Sequence, residues 1–208
     1  MKKYCLTKVL LLLAALTSLA LPSRSDVKVS EGNGVNITME NAALKLTIAV
    51  EGGGRISSLV DKKSGKNLVT LWKNPDEDGG LLDDRNVFTA MAYSAAVMSP
   101  GGKSGMVRLT ATNPNGMSMT KIITLRDGEN TVEVKETFSN GTQKEARFML
   151  RRFMLPDGGP LTDDYQYLVP VKDKPLQPLA PANGYYQDLP SPWSAVGNST
   201  KGDGILVA

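Results

Sequence analysis

Histidine is absent from the 208 residues, and cysteine occurs once, as Cys5. Without histidine there is no Ser-His-Asp triad, no Cys-His pair, no HExxH zinc helix and no His-ligated copper or iron. A single cysteine excludes internal disulfides and any cysteine-based zinc site. Aromatic residues are scarce, at 6%. An enzyme built from this chain would have to work with carboxylates, Tyr, Lys, Arg or a hard metal. The 41% of hydrophobic residues still suffices for one core, and the length fits one domain or part of a larger one.

Long apolar runs are missing too, with one exception. Lys2, Lys3 and Lys8 precede the stretch Val9 to Leu21, which only Thr17 and Ser18 interrupt. At about 13 residues it is short of the roughly 20 that a spanning helix needs. Ser18-Leu19-Ala20 and Ser23-Arg24-Ser25 supply the small residues that a signal peptidase reads. Residues 1–25 therefore read as a signal peptide and residues 26–208 as an exported domain, periplasmic or extracellular, with no stable membrane span after cleavage. The leader carries four basic residues and no acid, so the mature chain keeps 20 basic against 21 acidic residues. The basic pI belongs to the leader. With no long basic block left, nucleic acid is not an expected partner.

What is present is period two. Leu44, Leu46, Ile48 and Val50 alternate with polar or small residues, as do Val107, Leu109 and Ala111. Met117, Met119, Lys121, Ile123 and Leu125 line one face of the next run, and Val132, Val134 and Phe138 one face of the run after. Such strands have one face on a core and one in water. Gly52-Gly53-Gly54 turns the chain early. Asp127-Gly128 signals a short hairpin, because both residues tolerate positive φ. Ser139-Asn140-Gly141 turns it again, so residues 117–155 read as a three-stranded meander. Residues 86–99 have the alanines of a helix but read as a strand beside strands. Eight of the twelve prolines fall in residues 156–192, which read as an irregular segment over a sheet. The apolar Gly204–Ala208 reads as a final strand in need of a partner, as in the front part of a longer protein. The fold class expected is all-β: an antiparallel β-sandwich, incomplete at its C-terminus.

Three stretches together resemble the galactose mutarotase-like superfamily, the β-supersandwich of carbohydrate-active proteins. The first runs Asn41-Ala42-Ala43-Leu44-Lys45-Leu46-Thr47-Ile48, then Gly53-Gly54-Arg55-Ile56-Ser57-Ser58-Leu59-Val60-Asp61, then the turn Lys63-Ser64-Gly65-Lys66-Asn67-Leu68. The second is the 117–139 hairpin. The third is Phe153-Met154-Leu155-Pro156 with Trp193 and Gly202-Asp203-Gly204-Ile205. The resemblance implies a supersandwich that handles sugars. Mutarotases of that family use a histidine acid and a glutamate base, so their mechanism does not carry over to a chain without histidine.

Several groups of residues suit a sugar. Asp84, Arg85 and Asn86 gather donors and acceptors that match paired hydroxyls, although an ordinary solvated Asp–Arg loop has the same composition. Arg147 and Arg151 share one strand face, where a guanidinium would pair with a uronate or sulfate, or with an acid such as Glu133. Tyr165, Tyr186 and Trp193 are candidates to stack on a pyranose, or simply to hold their segment onto a sheet. Asn74 to Gly79 matches the first half of a calcium loop, but Arg85 stands where a bidentate Glu is required, which excludes an EF-hand. A different Ca2+ loop would use Asp76, Asp78 and Asp83; otherwise no cofactor is expected. Gly101-Gly102-Lys103-Ser104 lacks the first glycine of a phosphate loop, and Gly52-Gly53-Gly54 lacks the last of a dinucleotide fingerprint.

The expected function is an exported carbohydrate-binding module of a glycan-degradation system, with a polysaccharide or oligosaccharide as partner. A polysaccharide lyase or glycoside hydrolase fragment and a structural adhesion module are the alternatives.

Overall fold

The computed structural model describes residues 26–32, 35–69, 73–74, 77–78, 88, 90–145, 165–170, 172–173, 193–198, 200 and 203–207. The expected leader, residues 1–25, lies outside them. Among the described residues every regular element is a strand. The first half of the chain forms β1 (Val27–Gly32), β2 (Asn36–Glu40), β3 (Leu44–Ala49), β4 (Arg55–Asp61) and the short β5 (Lys66–Asn67). A small hairpin follows, β6 (Lys73–Asn74) and β7 (Glu77–Asp78). Then come β8 (Ser94–Gly102), β9 (Ser104–Thr112), β10 (Met117–Arg126) and β11 (Val132–Asn140). The last three strands are β12 (Tyr165–Leu168), β13 (Ser194–Asn198) and β14 (Asp203–Val207).

One nine-stranded antiparallel sheet has the order β11-β10-β9-β8-β1-β2-β3-β4-β5. Two meanders, β1–β5 and β8–β11, meet where β1 pairs with β8 over only Val27↔Gly102 and Lys28↔Gly101. The sheet curls about this seam, so that the inner faces of both meanders share one core. Ile37, Met39, Leu46, Ile48 and Ile56 pack in the same buried cluster as Val107, Leu109, Met119, Ile123 and Leu125. Each fully buried aliphatic of this kind contributes about 1.5–3 kcal/mol. Gly105 keeps the seam tight: a Cβ there would lie 2.6 Å from Val29 Cγ2 and 2.8 Å from Val27 Cγ1. A glycine in a strand often marks such a close approach.

The turns are made by short polar side chains. Asn41 Oδ1 accepts from the backbone of Ala43 and Leu44 at 2.9 and 2.7 Å. After β4, Asp61 accepts from the N–H groups of Lys63 and Ser64, and Gly65 sits at φ 72°. Asn67 Oδ1 then holds the N–H groups of Leu59 and Val69. Gly53 and Gly54 turn β3 into β4 at φ 81° and 57°.

Three expectations are corrected. The strand expected over 86–99 runs from Ser94 to Gly102, and Phe88 and Tyr93 before it are buried plugs of the core. The Asp127-Gly128 connection is longer than a two-residue turn. Leu125 pairs with Val132, so the loop opens to five residues after Arg126, and of its residues only Gly128 has positive φ. The proline-rich 156–192 segment contains a strand, β12, paired with β13. The acidic stretch at 74–79 begins as a hairpin, with Asn74 opposite Glu77 and Lys73 opposite Asp78. Of the three-stranded meander over 117–155, the first two strands are described; residues 146–155 lie outside. Gly204–Val207 is indeed part of a strand, β14, whose partner is β13.

Candidate functional site

In the arm β8–β11 the strands β9, β10 and β11 pair without a break, while β8 shifts register against β9 between Val97 and Ser99. β10 pairs residue for residue with β9 on one side and β11 on the other, from Ser118↔Thr112 to Arg126↔Ser104 and from Met117↔Asn140 to Leu125↔Val132. Strict alternation therefore gives this arm two faces of opposite character.

On the inner face one charged residue, Lys121, is fully buried. Its ammonium donates to Gly53 O at 3.1 Å and Gly54 O at 3.3 Å, and lies 5.2 Å from the Tyr93 ring centroid. Tyr93 Oη donates in turn to Met119 Sδ at 3.2 Å. Glu136 stands directly opposite Lys121 on β11, with one carboxylate oxygen buried. This node ties β10 to the β3–β4 turn and is inaccessible to a ligand. Phe138, two residues beyond Glu136, is the exposed apolar residue at that edge.

The outer face carries hydroxyls and charges. One row across the strands is Ser94–Thr110–Thr120–Thr137, and the next is Thr112–Ser118–Ser139. A third row is Ala96–Arg108–Ile122–Lys135. Arg108 and Lys135 are exposed, with the half-buried Ile122 between them. The acid on this face, Glu133, is held by Arg126, whose guanidinium it keeps above the usual arginine pKa. Sequence reasoning passed over this face, because its Thr and Ser residues are what any solvated strand selects. The signal is the register, which brings Arg108, Ile122 and Lys135 from three strands into one row.

Asp76, Asp83, Asp84, Arg85, Asn86, Arg147, Arg151 and Tyr186 lie outside the described residues. Glu133, a prospective partner for the arginines of 147–152, pairs with Arg126 among the described residues. The backbone of Asp78 lies on β7. Among the described residues no three acids gather in a way that would hold a metal ion. Tyr165 begins β12 opposite Asn198, whereas the half-buried Trp193 precedes the other end of β13. At about 3.3 Å per residue their backbones stand about 17 Å apart along the strands, too far to stack on one sugar ring. Among the described residues no helix is long and apolar enough to cross a membrane.

No family model matches the chain, and no curated protein matches it in sequence. Solved structures do share its fold. One is a TPR-domain containing protein from Parabacteroides distasonis, with TM-score 0.58 and 15% identity over 82% of this chain. The chain spans 35% of that protein's length. At this identity the likeness concerns the fold alone.

Proposed function

We propose that the protein is an exported carbohydrate-binding module of a glycan-degradation system, and that the outer face of β8–β11 is its binding platform. One observation carries this reading: four paired strands present aligned rows of hydroxyls beside exposed charges on one face. Sugar hydroxyls both donate and accept, and Ser and Thr side chains answer both roles. An extended polysaccharide would lie across the strands, with hydroxyls meeting Thr110, Thr120 and Thr137 in turn. The resemblance to the mutarotase-like superfamily supports the same substrate class. A tetratricopeptide repeat is a helical hairpin, so the structural likeness does not extend a repeat reading to the described residues, whose regular elements are all strands.

The test is native affinity electrophoresis through gels containing neutral or acidic polysaccharides. Retardation by at least one polymer is expected, and a triple Thr110→Val, Thr120→Val, Thr137→Val variant should migrate freely. A folded protein retarded by no polymer of the panel would refute the module.

A further inference from the structure

Resting on that reading, we infer that the glycan is acidic, and that Arg108 and Lys135 are the pair that reads its carboxylates. Both side chains are exposed and oppose the same residue, Ile122, from the two flanking strands. With neighbouring strands about 4.8 Å apart, their backbones stand about 10 Å from each other, with an apolar step between them.

Among the described residues of this face the acid beside these cations is Glu133, which pairs with Arg126. Across the strands Arg108 meets Ala96 and Ile122, and Lys135 meets Ile122. Along their own strands the same-face neighbours are Met106 and Thr110 for Arg108, and Glu133 and Thr137 for Lys135. Glu133 is held by Arg126. Opposite charges placed across a strand pair stabilise a sheet, so two cations set around an isoleucine are not explained by sheet stability. They fit a ligand that brings its own negative charge at intervals. The Arg108 guanidinium presents a planar fork for a carboxylate, and Lys135 a point charge for the next. Ile122 would lie under the apolar face of the intervening ring, while the adjacent threonine row meets its hydroxyls. A neutral glycan would leave both cations unanswered, and a uronate polymer answers both.

The experiment is calorimetric titration of the purified chain with polygalacturonate, a neutral β-glucan and single-stranded DNA, repeated on an Arg108→Ala/Lys135→Ala variant. Both positions are exposed, so the variant should keep the wild-type thermal transition. The expected result is preference for polygalacturonate, with affinity lowered by at least about tenfold in the variant, a loss of about 1.4 kcal/mol. Four results overturn the inference. Binding of the neutral glucan alone, or of polygalacturonate equally by both proteins, removes the acidic-ligand site and leaves the module standing. Equal affinity for DNA reduces the pair to unspecific charge. No heat with any polymer from a folded protein refutes the module as well. If the double variant fails to fold, Arg108→Gln and Lys135→Gln, read singly by the same titration, decide the matter.

Discussion

Lys121 donates to the carbonyl oxygens of Gly53 and Gly54, so a residue in the middle of β10 fastens the turn between β3 and β4, 67 residues distant from it in the nearer case. The ammonium thus satisfies two peptide oxygens buried by the curling of the sheet. Lys121→Met keeps the stem and removes the donor. It should cost about 1–3 kcal/mol, the penalty for leaving buried acceptors unpaired. Lys121→Ala also opens a cavity and should cost about 2 kcal/mol more. Urea denaturation midpoints at constant slope measure both. A Met variant as stable as the parent would contradict the fastening role.

The same turn fixes Gly54. It has φ +57°, and a Cβ there would lie 3.1 Å from the Tyr93 ring and 3.2 Å from Leu109 Cδ1. Left-handed backbone costs an L-residue about 1–2 kcal/mol, and overpacking a core adds about 1–3 kcal/mol. Gly54→Ala should therefore destabilise by about 2–5 kcal/mol. Gly65→Ala offers the comparison, since φ is +72° but nothing lies within 4 Å of the new Cβ. Only the first of those two costs should be measured there.

The alternation of Leu44, Leu46 and Ile48, and of Val107, Leu109 and Ala111, was legible because one face of each strand is core and the other is wet. Lys121 falls on the inward period of its strand, and this charge among core positions is visible in sequence, but its partners in the β3–β4 turn are not. Pairing partners depend on loop geometry. A two-residue turn at Asp127-Gly128 would set Arg126 opposite Glu129 and Lys121 opposite Val134. The observed loop is longer and sets Lys121 opposite Glu136 instead. The shift of two residues preserves the faces and changes every partner, so the row of Arg108, Ile122 and Lys135 could not be read without the loop. The seam between β1 and β8 joins segments some seventy residues apart, and no local signal announces it.

Asn41 accounts for that loop. Its amide Nδ2 donates to Arg126 O at 2.6 Å and Glu129 O at 2.7 Å, while its Oδ1 holds the β2–β3 turn. The side chain is buried at 2% exposure and uses both ends. Asn41→Asp keeps the acceptor but turns a carboxylate toward two carbonyl oxygens. It should lose at least as much stability as Asn41→Ala, for which about 2–4 kcal/mol is expected from the unpaired groups. Amide hydrogen exchange would locate the effect. Protection at residues 126–132 should fall in both variants, and unchanged protection there would disprove the link.

Acid should loosen the first meander through two carboxylates. The hydrogen bond from Lys62 holds Glu40 below its ordinary 4.5, and the hydrogen bond from the Ser64 hydroxyl holds Asp61 below its ordinary 3.8. With folded-state values depressed, the unfolded chain binds more protons in that window, so stability rises with pH across it. The contribution is complete above the unfolded values and lost as pH falls through the folded ones. Both groups are solvent-exposed, so each effect is small. Asp61→Asn retains an acceptor for the turn and cannot titrate. Together with Glu40→Gln it should flatten the acid limb between about pH 3 and 5, while differing least from the parent at the acid end. Denaturation midpoints across that range make the comparison. An acid limb of unchanged slope in the double variant would assign the acid sensitivity to other carboxylates.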